Sequence, residues 1–284
     1  MRSMFSKVVS LALLVGLTAL APGRLAAAAP AAPSSGLNDW SCRPSSTHPR
    51  PVVLLHGLSS SSQQWLLHGT TVAKAGYCAF SLDYGANSTG ANGNAPVARS
   101  GEEIGRFIDR VLSETDASKV DLVGHSLGGF MALWVPKVAG YGDRVGTVVS
   151  LTPPTHGTTL FGALALAERA GLRPVLTGLL GLGGCFACAD LLAGSAATDR
   201  LTQGPIAQPG IRYVVIATRY DAIVTPASQG FIREPGVENY YVQDKCPADP
   251  VGHFGIGFDT GVGSMILHGL DPAVPVKCGF GPPV

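Results

Sequence analysis

The sequence predicts an α/β fold built on a mainly parallel sheet of about six strands, and three observations carry that prediction. Short, wholly apolar runs recur along the chain, as in strands buried on both faces. Segments with helical spacing separate these runs, the pattern of repeated strand–helix–strand units. The runs end in glycine, polar or other turn-forming residues, at the strand ends where open parallel sheets carry their chemistry.

After a polar, Pro/Ser-rich lead, Val52, Val53, Leu54 and Leu55 form the first run, which ends in His56-Gly57. Residues 63–75 read as a helix stopped by Gly76, and residues 77–82 as a second strand ending at Asp83-Tyr84-Gly85. A Gly/Asn loop follows over 86–95. Ile104, Phe107, Ile108, Val111 and Leu112 then repeat at helical spacing, predicting an amphipathic helix of about three turns. Residues 120–123 form the next run, and Phe130, Met131, Leu133 and Trp134 mark the packed helix after it. Val145, Val148, Val149 and Leu151 make a strand that runs out at Thr152-Pro153-Pro154. The stretch 155–208 departs from the short-connection pattern: it is apolar and glycine-rich, and reads as a helical insertion. Strands over 211–218 and 237–242 and a short helix over 261–270 complete the order.

The chain has 284 residues and a formal net charge of +1, enough for one sizeable core and too short for two ordinary enzyme domains by default. Charged residues are only 14% and hydrophobic ones 46%, which argues against disorder. No basic cluster is present, which argues against a nucleic-acid partner. Arg2 and Lys7 precede an uncharged apolar core over 8–20, and small residues follow to a cleavage point after Ala28. That core is shorter than the ~20 residues that span a bilayer. A signal peptide over 1–28, a lead over 29–50 and a catalytic domain over 51–284 are therefore expected, with a secreted, extracellular product and no membrane span. Cys42, Cys78, Cys185, Cys188, Cys246 and Cys278 all fall in the mature chain, an even number suited to an oxidising compartment. Spacing alone leaves their pairing open. Cys185 and Cys188 lack the second C-x-x-C or histidine pair of a zinc site, so a structural disulfide is expected.

Gly124-His125-Ser126-Leu127-Gly128 is a G-x-S-x-G pentapeptide between an apolar run and a helix. In that setting the serine sits on a sharp strand-to-helix turn with its hydroxyl exposed. A serine hydroxyl needs a base to take its proton as it attacks, and the base is usually a histidine oriented by a carboxylate. Asp221 follows the strand 211–218, and His253 lies in a loop after the last strand, giving the order Ser126, Asp221, His253. His156 is the strongest rival base and could instead line the pocket; with Leu160 and Phe161 it is assigned to substrate binding. His125 is expected to turn away from Ser126, and His56 to be structural. His48, His68 and His268 suit packing or surface positions. Asp83, Asp244, Asp249 and Asp259 are weaker candidates for the acid. The oxyanion of acyl transfer needs two N–H donors, expected from Leu127, next to the serine, and Leu58, after the first strand. No H-E-x-x-H or EF-hand loop occurs and scattered aspartates do not establish calcium, so no residue is assigned to a metal.

P-V-V-L-L-H-G-L at 51–58, G-H-S-L-G-G at 124–129, T-R-Y-D-A-I-V-T-P at 218–226, and Q-D-K-C-P at 243–247 followed by His253 resemble secreted bacterial lipases. In particular, they look like the actinobacterial lipase/esterase group related to the small, lidless Bacillus lipases of the α/β-hydrolase superfamily, a lipase class 2-like pattern. The resemblance implies a compact α/β-hydrolase core, hydrolysis of fatty-acid esters and no organic cofactor. It assigns Ser126, Asp221 and His253 as a triad and Leu58 and Leu127 as oxyanion donors. It also implies the pairs Cys42–Cys78, Cys185–Cys188 and Cys246–Cys278. The expected partner is a lipid or ester substrate, met by a monomer, in one setting at an oil–water interface. A short-chain esterase, phospholipase or acyltransferase on the same triad, and a non-catalytic binding protein of the same fold, are the alternative readings. The long 155–208 segment departs from the smallest relatives, so it could line an acyl groove, act as a lid or simply pack on the sheet.

Overall fold

The computed structural model describes residues 36–159 and 162–284. The expected signal peptide over 1–28 and the side chains of Leu160 and Phe161 lie outside the described residues. Strand β1 (Val52–Leu55) leads through α1 (Leu66–Lys74) to β2 (Ala79–Ser81), then α2 (Val97–Thr115), β3 (Val120–His125), α3 (Leu127–Lys137) and β4 (Val145–Leu151). The insertion follows as α4 (Ala163–Arg169), α5 (Arg173–Leu182), α6 (Phe186–Asp190) and α7 (Ala196–Thr202). Strand β5 (Arg212–Ala217), β6 (Val237–Tyr241), α8 (Val242–Lys245) and α9 (Thr260–Leu270) close the order.

All neighbouring strands pair in parallel, in the order β2-β1-β3-β4-β5-β6. Side chains alternate between two cores. Val53, Leu55, Leu122, Val148 and Val215 face Ile104, Ile108, Phe130 and Met131 of α2 and α3. Val52, Leu54, Val123, Val149, Val214 and Ile216 face Val72 of α1 and Val262, Met265 and Ile266 of α9. Covering both faces explains why the runs read as continuous apolar stretches, with no polar alternation. Asp121 interrupts the apolar run of β3, and Arg50 holds its buried carboxylate at 2.6 Å.

Helix α2 is longer than the three turns read from Ile104 onward, because its first half packs through small residues. A Cβ added to Gly101 would lie 3.0 Å from the Trp134 indole, and one on Gly105 would overlap the Tyr141 ring. Close backbone approach has replaced the apolar periodicity that sequence reading depends on. The cysteines pair as Cys42–Cys78, Cys185–Cys188 and Cys246–Cys278, the connectivity implied by the resemblance.

Strand order positions the site. From β1 the chain moves to β2 on one side, then crosses to β3 on the other and continues outward to β6. The loops leaving the carboxyl ends of β1 and β3 therefore part, which opens a crevice at the topological switch point. Those two loops carry Leu58 and Ser126.

Candidate active site

Ser126 stands between β3 and α3 with φ of 56°, a left-handed conformation that costs a residue with a Cβ on the order of 1–3 kcal/mol. The packing of α3, whose residues from Leu127 to Pro136 are all buried, holds it there. Two glycines make the turn possible. A Cβ on Gly124 would collide with the Gly128 carbonyl, and one on Gly128 with the Leu55 carbonyl of β1. The Ser126 N–H is anchored on the Leu151 carbonyl of β4 at 2.9 Å. Its hydroxyl faces the cavity.

His253 Nε2 lies 2.9 Å from Ser126 Oγ, and His253 Nδ1 lies 2.9 Å from Asp221 Oδ2. His253 and Asp221 are both buried. The other Asp221 oxygen, Oδ1, accepts the Ile223 and Val224 N–H groups, each at 2.8 Å, so the carboxylate is fixed at both ends. A parallel bridge between Tyr220 and Gly252 brings the two loops side by side. Gln243 ties them further, accepting from the Arg219 N–H at 2.9 Å and donating to the Asp249 carbonyl at 3.0 Å. The structure thus brings the three side chains named from chain order into one hydrogen-bonded line. Such a line can move a proton from the hydroxyl to the imidazole while the carboxylate stabilises the cation that forms.

Leu127 opens α3, so its N–H has no intrahelical acceptor. Leu58 follows Gly57, whose carbonyl accepts from His56 Nδ1 at 2.8 Å and from the Ser60 N–H at 3.3 Å. That carbonyl fixes the peptide plane, and the trans N–H of Leu58 points the other way. His56 is a buried structural residue, stacked on Tyr84 at 4.3 Å between ring centres. A cavity of about 520 Å³ opens over Ser126 and His253, walled by Leu58, Ile223, Phe254 and Phe258. His156 does not line it: its Nδ1 donates to the Gln229 carbonyl at 2.8 Å, which turns the ring onto the segment before β6.

Two features escaped the sequence. Gln64 and His125 hydrogen-bond to one another at 2.6 Å beside the serine, and the His125 ring, although it makes no bond to Ser126, reaches the His253 carbonyl. The segment after Cys278 also straps the histidine loop, with the Gly252 N–H donating to Pro282 O at 3.1 Å and the Gly255 N–H to Val284 O at 2.7 Å. A lone glutamine and a Pro/Gly tail carry no pattern that announces such contacts.

Burial sets the charge states around the site. Desolvation lowers the proton affinity of His56, His68 and His125, and for His125 the neighbouring His253 adds to it, down to about 3. Unfolding returns these rings to about 6.5, so below that pH the unfolded chain binds protons the folded chain refuses. Stability should therefore fall as pH drops through about 6.5, by about 1.4 kcal/mol per pH unit for each ring still neutral in the fold. Asp249 acts in the opposite sense, because burial and the facing Asp259 carboxyl push it up from 3.8 to about 6. Between those values the folded chain keeps a proton that the unfolded chain releases. Urea midpoints from pH 7.5 to 4.5 should fall, and fall more steeply in Asp249→Asn; a flat wild-type profile would contradict this.

A family model described as the alpha/beta hydrolase fold matches residues 50–170. A triacylglycerol lipase of Pseudarthrobacter phenanthrenivorans is 30% identical over 121 residues, covering 38% of this chain and 34% of that protein. A triacylglycerol lipase of Burkholderia plantarii is 30% identical over 121 residues, covering 38% of this chain and 30% of that protein. The matched stretch spans about a third of the length of these relatives. Among solved structures, Aspergillus fumigatus lipase B superposes with a TM-score of 0.62 at 16% identity, over 80% of this chain and 53% of that one. The mature Bacillus licheniformis lipase BlEst2 superposes with a TM-score of 0.53 at 18% identity, over 80% and 92%. At such identities the structural likeness bears on fold alone. Its parallel six-stranded sheet flanked by helices, with the serine on the turn between β3 and α3, has the architecture of the α/β-hydrolase fold that the family model describes.

Proposed function

We propose that the chain is an exported serine carboxylester hydrolase of the lipase/esterase type. The observation that carries this reading is the line Asp221–His253–Ser126, with both bonds at 2.9 Å, opening into an apolar-walled cavity. Ser126 Oγ attacks the ester carbonyl carbon as His253 Nε2 takes its proton. The Leu58 and Leu127 N–H groups stabilise the oxyanion. His253 then protonates the departing alcohol, leaving an acyl group on Ser126. A water molecule, deprotonated by His253, releases the acid and restores the hydroxyl. Three disulfides, and among the described residues no helix long and apolar enough to cross a membrane, fit an exported enzyme.

The walls support an acyl-ester substrate class. Leu58, Ile223, Phe254 and Phe258 suit an acyl chain, and Leu166, Leu172, Val175, Leu179 and Leu182 of the insertion stand exposed, which supports contact with a lipid surface. Hydrolysis of p-nitrophenyl esters from C2 to C16 tests the first point. Each methylene that enters the cavity is worth up to about 0.8 kcal/mol, so kcat/KM should climb from C2 towards medium chains. A sharp maximum at C2 would count against an acyl-chain site. Emulsified tributyrin extends the panel, and turnover that stops rising at the solubility limit would count against a lipid surface.

A further inference from the structure

Between the two proposed halves of the catalytic apparatus runs an unbroken chain of neutral hydrogen bonds. The Gly57 N–H donates to Gln64 Oε1 at 2.9 Å, Gln64 Nε2 donates to His125 Nδ1 at 2.6 Å, and His125 Nε2 donates to the backbone carbonyl of His253 at 2.9 Å. Each direction is forced by the next. A carbonyl can only accept, so Nε2 of His125 carries the proton and Nδ1 must accept. The Gln64 amide therefore turns its NH₂ to the ring, which leaves its oxygen for Gly57. His125 is 4% exposed, and its ring centre lies 5.1 Å from that of His253. His253 and His68 are the titratable neighbours that bear on its charge. Burial keeps the ring neutral, the only state in which it can accept from Gln64 and donate to His253 together.

We propose that Gln64 and His125 form a positioning relay that couples the loop after β1, with its Leu58 donor, to the loop that carries His253. This proposal rests on the serine-hydrolase reading for its kinetic consequences only. The bond to the His253 carbonyl fixes the backbone from which the imidazole projects, and so the distance from Nε2 to Ser126. The bond to the Gly57 N–H holds the start of the oxyanion loop. His125 thus acts through its neighbours and contacts no reacting atom. Its place beside the nucleophile in the pentapeptide gives one side chain access to both loops.

Single variants at His125, with active sites counted by fluorophosphonate titration, test the relay. His125→Ala should lower kcat about 10- to 100-fold, the scale expected when a base is displaced by about an ångström, with KM held within about twofold. His125→Gln places an amide N–H where Nε2–H stood and should recover most of that loss. His125→Asn reaches only the Gln64 side and should not. Gln64→Leu combined with His125→Ala should lose no more than His125→Ala alone, since both break one chain. Equal kcat for the Ala, Asn and Gln variants, or losses that multiply in the double variant, would overturn the relay. A readout independent of catalysis is the ¹⁵N spectrum of the His125 ring, expected to show the Nε2–H tautomer from pH 7 to pH 5. If wild-type protein hydrolyses no ester, the hydrolase reading fails, and the spectrum still decides the relay. A ring that titrates near 6.5, or that carries its proton on Nδ1, overturns it.

Discussion

Replacing Ser126 by Ala should lower kcat for ester hydrolysis by about 10⁴- to 10⁶-fold, the range seen when a serine nucleophile is removed from such a triad. KM should change little, because the apolar walls of the cavity remain. His253→Ala should cost nearly as much, and the Ser126→Ala/His253→Ala double variant should be no worse than the poorer single one. The reason is geometric. With Nε2 and Oγ 2.9 Å apart, hydroxyl and ring act as one unit, and removing either leaves the other without a task. Steady-state kinetics on a medium-chain ester provide the measurement. Residual activity within about tenfold of wild type would contradict the assignment of Ser126.

Asp221→Asn should lower kcat by about 10⁴-fold although only one atom changes, the loss known for the equivalent change in a serine protease. Oδ1 of Asp221 accepts two backbone N–H groups, so the amide oxygen of the new residue must occupy that place. The NH₂ then faces His253 Nδ1, where the carboxylate had accepted. The ring must carry its proton on Nε2 to receive that donor. A ring protonated on Nε2 cannot accept the Ser126 proton. Substrate binding is untouched, so the effect should fall on kcat while KM stays within about twofold, and a loss confined to KM would point to a different role for Asp221.

The sheet was legible because burial on both faces makes its strands read without alternation. Val52 to Leu55 and residues 120–123 could hardly be anything else, and their glycine-marked ends pointed to the two loops that line the crevice. Chain order then picked Asp221 and His253 from several acids and imidazoles. Helix α2 was read short because Gly101 and Gly105 pack by absence of a side chain, which periodicity cannot register. A strand end marks where a loop begins and says nothing about where it turns, so the hold of the Gln229 carbonyl on the His156 ring could not be read from position alone. Gln64 and the strap after Cys278 were invisible for a related reason. Their partners, the Gly57 N–H and the glycine amides at 252 and 255, are backbone groups, which leave no side-chain pattern to read.

The most direct test of the proposed chemistry is covalent labelling by a fluorophosphonate, read by peptide mapping of folded and urea-unfolded protein. Activation of Ser126 by His253 should give one label per chain, on Ser126, lost on unfolding and at least about 10³-fold slower in His253→Ala. Folded protein that leaves Ser126 unlabelled, or a His253 variant that labels at the wild-type rate, would contradict it.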